Sequence, residues 1–295
     1  MKHNSEITFI IVSLEAIKGI RACLKNIGSN YKVIIVENSN NTNIKSEIEN
    51  NFSNAKCILL GKNYGYGPAA NVGISNVKTK FAFLINADIK IYDYQINNLE
   101  KELNELKDNF SIASPFYDDF KDFIENNKFD KLSNLNQKIL FKQNIENVSL
   151  LKGSSMIFNL SKFNEKVFDE NFFFFFEEID VCKRTLSKGE KIYLINNIKI
   201  EHSGNKGIEN IDVHEINKFR NWHYYWSSFY YHKKHYGFSN SLKVHFRRLI
   251  KFFLLKNYYF LFNKKESDMF KSRYNGLVNS IFGKKSSDGP TYGGK

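Results

Sequence analysis

Three carboxylates fall within four residues at Glu177-Glu178-Ile179-Asp180, directly after a run of five phenylalanines at residues 172–176. Like charges repel, and apolar surroundings penalise ionised groups. Carboxylates gathered beside aromatic rings therefore suit a general base or a bound cation. The competing reading is an acidic first turn of a helix, which the helix dipole favours. Asp88 follows the apolar run at residues 81–86, in Asn86-Ala87-Asp88. Past the end of a buried strand, such a carboxylate either binds a divalent cation bridging two phosphates or forms an Asx turn. His202 closes a strand-like stretch before Ser203-Gly204-Asn205-Lys206-Gly207, either as a polar surface residue or as a metal ligand beside Asp88. Residues 62–73 form a glycine-rich loop entering a helix. Pro68 suits its first turn, and Gly65 and Gly67 let the backbone approach a ligand. The glycine spacing is neither that of a Walker loop nor that of a dinucleotide fingerprint. Taken alone, a plain strand–helix turn accounts for it better.

The elements that must position these residues begin with a β-branched strand at Ile7–Ser13. A helix over residues 16–27 follows, with Ile17, Ile20, Leu24 and Ile27 at helical spacing. The chain then alternates: strand 31–37, a polar helix to residue 50, strand 56–60, a turn and helix over 61–77, and strand 81–86. This alternation predicts βαβ units and a mainly parallel sheet, the α/β class, with ligands beyond the carboxyl ends of the strands. Those ends carry Ser13, Glu37, Asn38, residues 61–67, Asn86 and Asp88. Downstream, a helix is expected near 94–107 and a strand at 111–115. Residues 117–147 read as a polar insertion or acceptor-side loop, and strand character returns over 149–159 around Gly153. A helix over 177–188 stops at Gly189. Two short strands are expected at 191–195 and 198–202. Beyond residues 205–215 aromatic and basic residues interleave. The expected organisation is a catalytic domain at 1–210, a helical, aromatic-basic extension at 211–285, and a flexible tail at 286–295.

The chain has 295 residues, 42% of them hydrophobic and 25% charged, a globular composition able to bury a large core. A formal charge of +12 points to an anionic partner, although the Asn-, Lys-, Ile- and Phe-rich composition tempers that argument. Cys23, Cys57 and Cys182 show no metal or disulfide spacing, so a reducing cytosol is the expected compartment. The N-terminal apolar run lacks a cleavage site, and no stretch is long enough to span a bilayer, so a soluble or peripheral protein is expected. The C-terminal aromatics and cations, from Trp222 through Lys256, suit a membrane interface, an ordinary helical core, or nucleic acid. No nucleic-acid-binding motif is present. A dehydrogenase is excluded by the missing glycine fingerprint after Ile7–Ser13.

Together these motifs resemble the family 2 glycosyltransferases, and in particular their bacterial rhamnosyltransferase-like branch, from Ile7 to about Gly207 with a weaker echo to Gly237. The matching segments are Val36-Glu37-Asn38-Ser39, residues 63–73, Leu84-Ile85-Asn86-Ala87-Asp88, Lys152-Gly153-Ser154-Ser155, residues 168–184 and His202. The resemblance implies the A-type glycosyltransferase fold and an inverting transfer from a nucleotide sugar, with dTDP-rhamnose as the leading donor and a UDP-sugar as the alternative. It implies a divalent cation, Mn2+ or Mg2+, on Asp88 and His202. Glu178 would be the general base, with Glu177 and Asp180 completing the catalytic group. Ser13, Glu37, Asn38, Asn63, Gly65, Asn71 and Asn86 would line the donor nucleotide. The implied acceptor is a glycan or a lipid-diphosphate-linked sugar, met at the cytoplasmic face of the inner membrane, with no nucleic acid involved. Glu replaces the usual Asp at positions 37 and 178, and Ala87 replaces a proline. A degenerate, non-catalytic glycosyltransferase-like binding protein is the alternative, and a nucleic-acid-binding protein a more distant one.

Overall fold

The computed structural model describes residues 5–117, 143–202 and 212–291. Its centre is a sheet whose strands are buried on both faces, which is why they read as continuous apolar runs. Strands β1 (Ile7–Ser13), β2 (Lys32–Glu37), β3 (Ala55–Leu59) and β4 (Phe81–Ile85) are all parallel, in the spatial order β3-β2-β1-β4. The connecting helices are α1 (Ile17–Ile27), α2 (Thr42–Asn51) and α3 (Tyr66–Ser75). Helix α1 turns Ile20, Cys23, Leu24 and Ile27 inward, as its spacing predicts.

Beyond β4 the sheet continues through β8 (Ser155–Asn159), which runs antiparallel, then β6 (Ile112–Tyr117) and β9 (Ile192–His202). Helix α4 (Asp93–Leu106) lies between β4 and β6 in the chain. Two short strands were not expected from the sequence. They are β5 (Ile89–Lys90) and β7 (Ile145–Asn147), both antiparallel to β9. The β5 pairing sets Ile89 opposite His202, so two residues far apart in sequence meet at one corner of the sheet.

The two strands expected at 191–195 and 198–202 are one. The register against β6 runs Pro115 to Ile195 and then jumps to Phe116 opposite Lys199, so the polar residues between bulge out. Asn196 is held there by its N–H to Asn144 O (2.6 Å) and its side-chain amide to Gln143 O (2.9 Å). The strand expected over 149–159 shortens to its last five residues. Of the expected insertion, residue 117 belongs to β6 and 145–147 to β7, while 118–142 lie outside the described residues.

The C-terminal part comprises helices α5 (Glu177–Ser187), which precedes β9, then α6 (Val213–Tyr236), α7 (Phe238–Phe260) and α8 (Lys264–Ile281). Phe229, Phe252 and Leu277 form a small core among the last three helices. Helix α6 also packs against the phenylalanine run: Phe172 on Tyr230 (4.9 Å), Phe173 stacked on His223 (4.7 Å) and Phe176 on Tyr231 (5.5 Å). Of the expected flexible tail at 286–295, residues 286–291 are described and make specific contacts, while 292–295 lie outside the described residues. Residues Ser286–Asp288 form a 3-10 turn, and His223 reaches Ser286 Oγ (3.3 Å) and Pro290 O (2.8 Å). A Cβ on Gly289 would lie 2.3 Å from the Trp222 ring, so this segment is packed rather than loose.

Candidate active site

The carboxyl ends of β1, β2 and β4 share one edge of the sheet, because Ser13 is in register with Glu37 and Ile11 with Ile85. Ser13 O accepts from Asn38 N (2.7 Å). Glu37 is wholly buried. Its Oε1 accepts from Glu15 N (3.0 Å) and Ser39 Oγ (2.6 Å), and its Oε2 is enclosed with no hydrogen-bond partner among the described residues. A buried acceptor left open at a strand end is costly unless something arrives to meet it.

Asn38 grips the glycine-rich loop. Its amide donates to Asn63 Oδ1 and Gly65 O (both 3.0 Å) and its Oδ1 accepts from Tyr64 N (2.9 Å). Gly65 has φ +94, and a Cβ there would lie 2.3 Å from Phe173 O, so no other residue fits. Tyr66 N donates to that same carbonyl (2.8 Å), stapling the loop to the phenylalanine run.

That run ends in two consecutive left-handed residues, Phe175 (φ 68) and Phe176 (φ 71), a conformation that bulky side chains resist. The turn aims the next two residues, Glu177 and Glu178, as the first turn of α5. Glu177 is buried with Oε2 enclosed, and burial plus the charge of Glu178 hold its carboxyl well above the ordinary range. Glu178 keeps part of its side chain accessible, but its Oε2 is enclosed as well. Burial pushes Glu178 up to about 7, opposed by backbone N–H groups at the helix start and by the charge of Lys152. Both carboxyls are thus held above the ordinary range, and Glu178, at about 7, is the one able to take up and release a proton near neutral pH. Gly153 packs on Glu178, with room for a Cβ only at 3.4 Å from Glu178 Cβ.

At the neighbouring corner Asp88 Oδ1 is enclosed, makes no hydrogen bond among the described residues, and lies 3.5 Å from His202 Nε2. Both side chains remain partly accessible, at 17% and 14%. Among the described residues no group of three or more His, Cys, Asp or Glu side chains is placed to hold a metal ion. The pair nonetheless fits a divalent cation that takes its remaining ligands from phosphate, because it offers one unused anionic oxygen and one imidazole nitrogen. Tyr66 joins the two halves of the site: its hydroxyl reaches Gly153 O (2.9 Å) and Asn86 Oδ1 (3.3 Å). Burial and then Glu177, Glu178 and Asp88 hold that phenol well above its ordinary value. Lys152 Nζ lies 3.5 Å from His202 Nδ1.

Tyr66 and Lys152 were not singled out from the sequence. Their signal was only adjacency, Tyr66 inside the glycine loop and Lys152 before Gly153. Two expected site residues make contacts that hold the surrounding elements together. Asn71 clamps the turn before the phenylalanines, through Phe168 N (3.0 Å), Phe168 O (2.9 Å) and Glu170 Oε1 (3.3 Å). Asp180 stands apart from the Glu177–Glu178 pair in its partners. Its Oδ2 meets Arg184 (2.8 Å), and its Oδ1 meets Lys234 (2.7 Å) and His235 (2.8 Å). Burial alone would raise Asp180, but the hydrogen bond from His235 and the two cations bring it to about 2. It ties α5 to α6.

Residues 8–168 match the family described as Glycosyl transferase family 2. That span covers the carboxyl ends of β1, β2 and β4 together with Asp88, and stops before Glu177 and Glu178. The chain is 26% identical over 234 residues to the dTDP-rhamnosyl transferase RfbF of Shigella flexneri, covering 72% of this chain and 75% of that protein. Among solved structures it is similar to the mannosyltransferase PcManGT of Pyrobaculum calidifontis in complex with GDP-Man and Mn2+. That likeness has a TM-score of 0.56 at 10% identity, over 95% of this chain and 88% of that one. It is also similar to S. aureus TarS 1-349 in complex with UDP, with a TM-score of 0.51 at 12% identity over 95% and 92% of the chains. The structural likenesses carry the A-type fold, and the family match carries the rest: the chain belongs to glycosyl transferase family 2 and is a glycosyltransferase.

Proposed function

We propose that this enzyme is an inverting, metal-dependent glycosyltransferase of surface polysaccharide biosynthesis, working in the cytoplasm. It moves a sugar, with rhamnose from dTDP-rhamnose the leading donor, to a hydroxyl of a glycan or lipid-linked acceptor. The arrangement that supports this reading is the enclosed Glu177–Glu178 pair at the start of α5 and the Asp88–His202 corner, with Tyr66 tying Asn86 to Gly153, which packs on Glu178. The likeness to a dTDP-rhamnosyl transferase supports the choice of donor.

The acceptor hydroxyl is deprotonated by Glu178 as its oxygen attacks the anomeric carbon from the face opposite the leaving group, so configuration inverts. Glu177, buried beside it, is the second carboxyl of the site. Asp88 and His202 would hold Mn2+ or Mg2+, which supplies positive charge against the departing nucleoside diphosphate. The donor edge of Ser13, Glu37, Asn38, Asn63, Gly65 and Asn86 receives the nucleotide, and the phenylalanine run excludes water.

Thermal stabilisation across a panel of dTDP-, UDP- and GDP-sugars, with and without manganese, tests the reading, since a ligand of the folded state raises Tm by mass action. A shift with one nucleotide family, enhanced by the metal and lost in Asp88→Ala, is expected. No shift with any sugar nucleotide would instead indicate a non-catalytic relative. Metal-enhanced binding that survives Asp88→Ala would remove that residue from the site.

A further inference from the structure

Helix α7 is amphipathic in an unusual sense, because its outward face is apolar. At helical spacing Phe246, Ile250, Phe253, Leu254 and Tyr258 stack along one side, and all five are exposed. The opposite side, with Ser241, His245 and Phe252, is the buried one. The stripe runs into the turn before α8, where Phe260, Leu261 and Phe262 are 74%, 74% and 73% exposed. Soluble surfaces scatter single apolar residues, but a continuous stripe ending in a bare apolar tip marks a contact surface.

Charge says what the contact is. From Phe238 to Phe260 the helix carries five cations, Lys243, Arg247, Arg248, Lys251 and Lys256, and no carboxylate. Arg247 and Lys251 are exposed along the edge of the stripe, and Lys264 and Lys265 are exposed just past the tip, where Glu266 and Asp268 are the nearest acids in sequence. Among the described residues no helix is long and apolar enough to cross a membrane, so the face is built to lie on a surface and not to span.

We propose that α7 and the turn after it form a docking face that seats this enzyme on an anionic lipid bilayer. The tip and stripe enter the headgroup boundary, while Arg247, Lys251, Lys264 and Lys265 meet lipid phosphates. A second copy of the chain fits less well. A two-fold contact through this stripe would set the cationic edge against itself without a compensating carboxylate on α7. Nucleic acid would use the cations but leave the tip unexplained. The inference concerns the helical extension and stands apart from the catalytic reading.

Flotation of the full chain with vesicles of phosphatidylcholine, or of phosphatidylcholine with about 30% phosphatidylglycerol, tests it without any transfer assay. Binding to the anionic vesicles only is expected. The pairs Leu254→Ser/Leu261→Ser and Arg247→Glu/Lys251→Glu should each weaken that binding at least about tenfold. Their melting temperatures should hold, because the replaced side chains are exposed. Leu261→Trp should shift its emission to the blue with anionic vesicles alone. No binding to either vesicle, equal binding to both, or wild-type binding by both double variants would overturn the proposal. So would a wild-type dimer that the serine pair converts to monomer while vesicle binding persists, since the face would then belong to a second copy.

Discussion

A carboxylate held near pH 7 is poised to accept a proton and still be regenerated in water, and Glu178 owes that position to burial opposed by backbone dipoles and Lys152. Replacing it by Gln keeps the shape and removes the base. Transfer should fall about 10²–10⁴-fold with donor binding nearly unchanged, measured as kcat beside a donor titration. In the parent enzyme kcat/KM should rise with pH through an apparent value near 7. Since Lys152 lowers the carboxyl, Lys152→Met should move that limb to higher pH, and a limb left in place would separate the two residues. Stability runs the opposite way with pH. A folded pKa above the unfolded one means that the protonated form stabilises the fold at low pH, and this contribution fades as pH rises through about 7. Glu178→Gln should remove that slope. The sequence singled out the carboxylates, Asp88 and His202 by type and order, and Glu178 as base only through the family resemblance. The enclosed oxygens and the approach of Lys152 from another segment follow from the fold, and no local pattern signals them.

At the level of elements, the site depends on a loop, a strained turn and a helix being held to one another. Gly65→Ala would place a methyl group 2.3 Å from Phe173 O at a positive φ, so a loss of about 1–3 kcal/mol is expected, read as a lowered midpoint in urea. Asp180→Ala strands Arg184, Lys234 and His235 around a wholly buried position. A cost of about 3–5 kcal/mol is expected, and a loss of activity that tracks unfolding would distinguish this anchor from a catalytic group. The parallel half of the sheet was legible because buried strands such as Phe81–Ile85 are uninterrupted apolar runs between helical periods. The merging of two expected strands into β9 was not. Asn196 and Asn197 look like a turn, and only pairing across β6 and to residues 143 and 144 shows that they bulge within one strand.

Across the whole molecule, the helical extension is continuous with the catalytic half through stacked rings, and its buried histidines set an acid limit. Burial pushes His223 down to about 4 and His245 to about 3, so both stay neutral when folded while the unfolded chain takes up protons below about 6.5. The contribution of these two histidines should therefore be full above that pH and fall by a few kcal/mol as pH drops toward 4, with His245→Gln reducing that fall in denaturant titrations at several pH values. The sequence marked the extension as helical and aromatic-basic, and the α6–α8 helices agree. It could not show that the final segment turns back onto Trp222 and His223, since nothing local in residues 286–291 signals a distant ring. That return has a consequence for synthesis. Phe173, which roofs the glycine loop, rests on His223, and His223 is held by Pro290. A ribosome that has delivered every carboxylate of the site has therefore not yet delivered its clamp. A nascent chain stopped before α6 would hold the reactive groups unassembled, and transfer activity would begin only when the segment around Pro290 has emerged and docked.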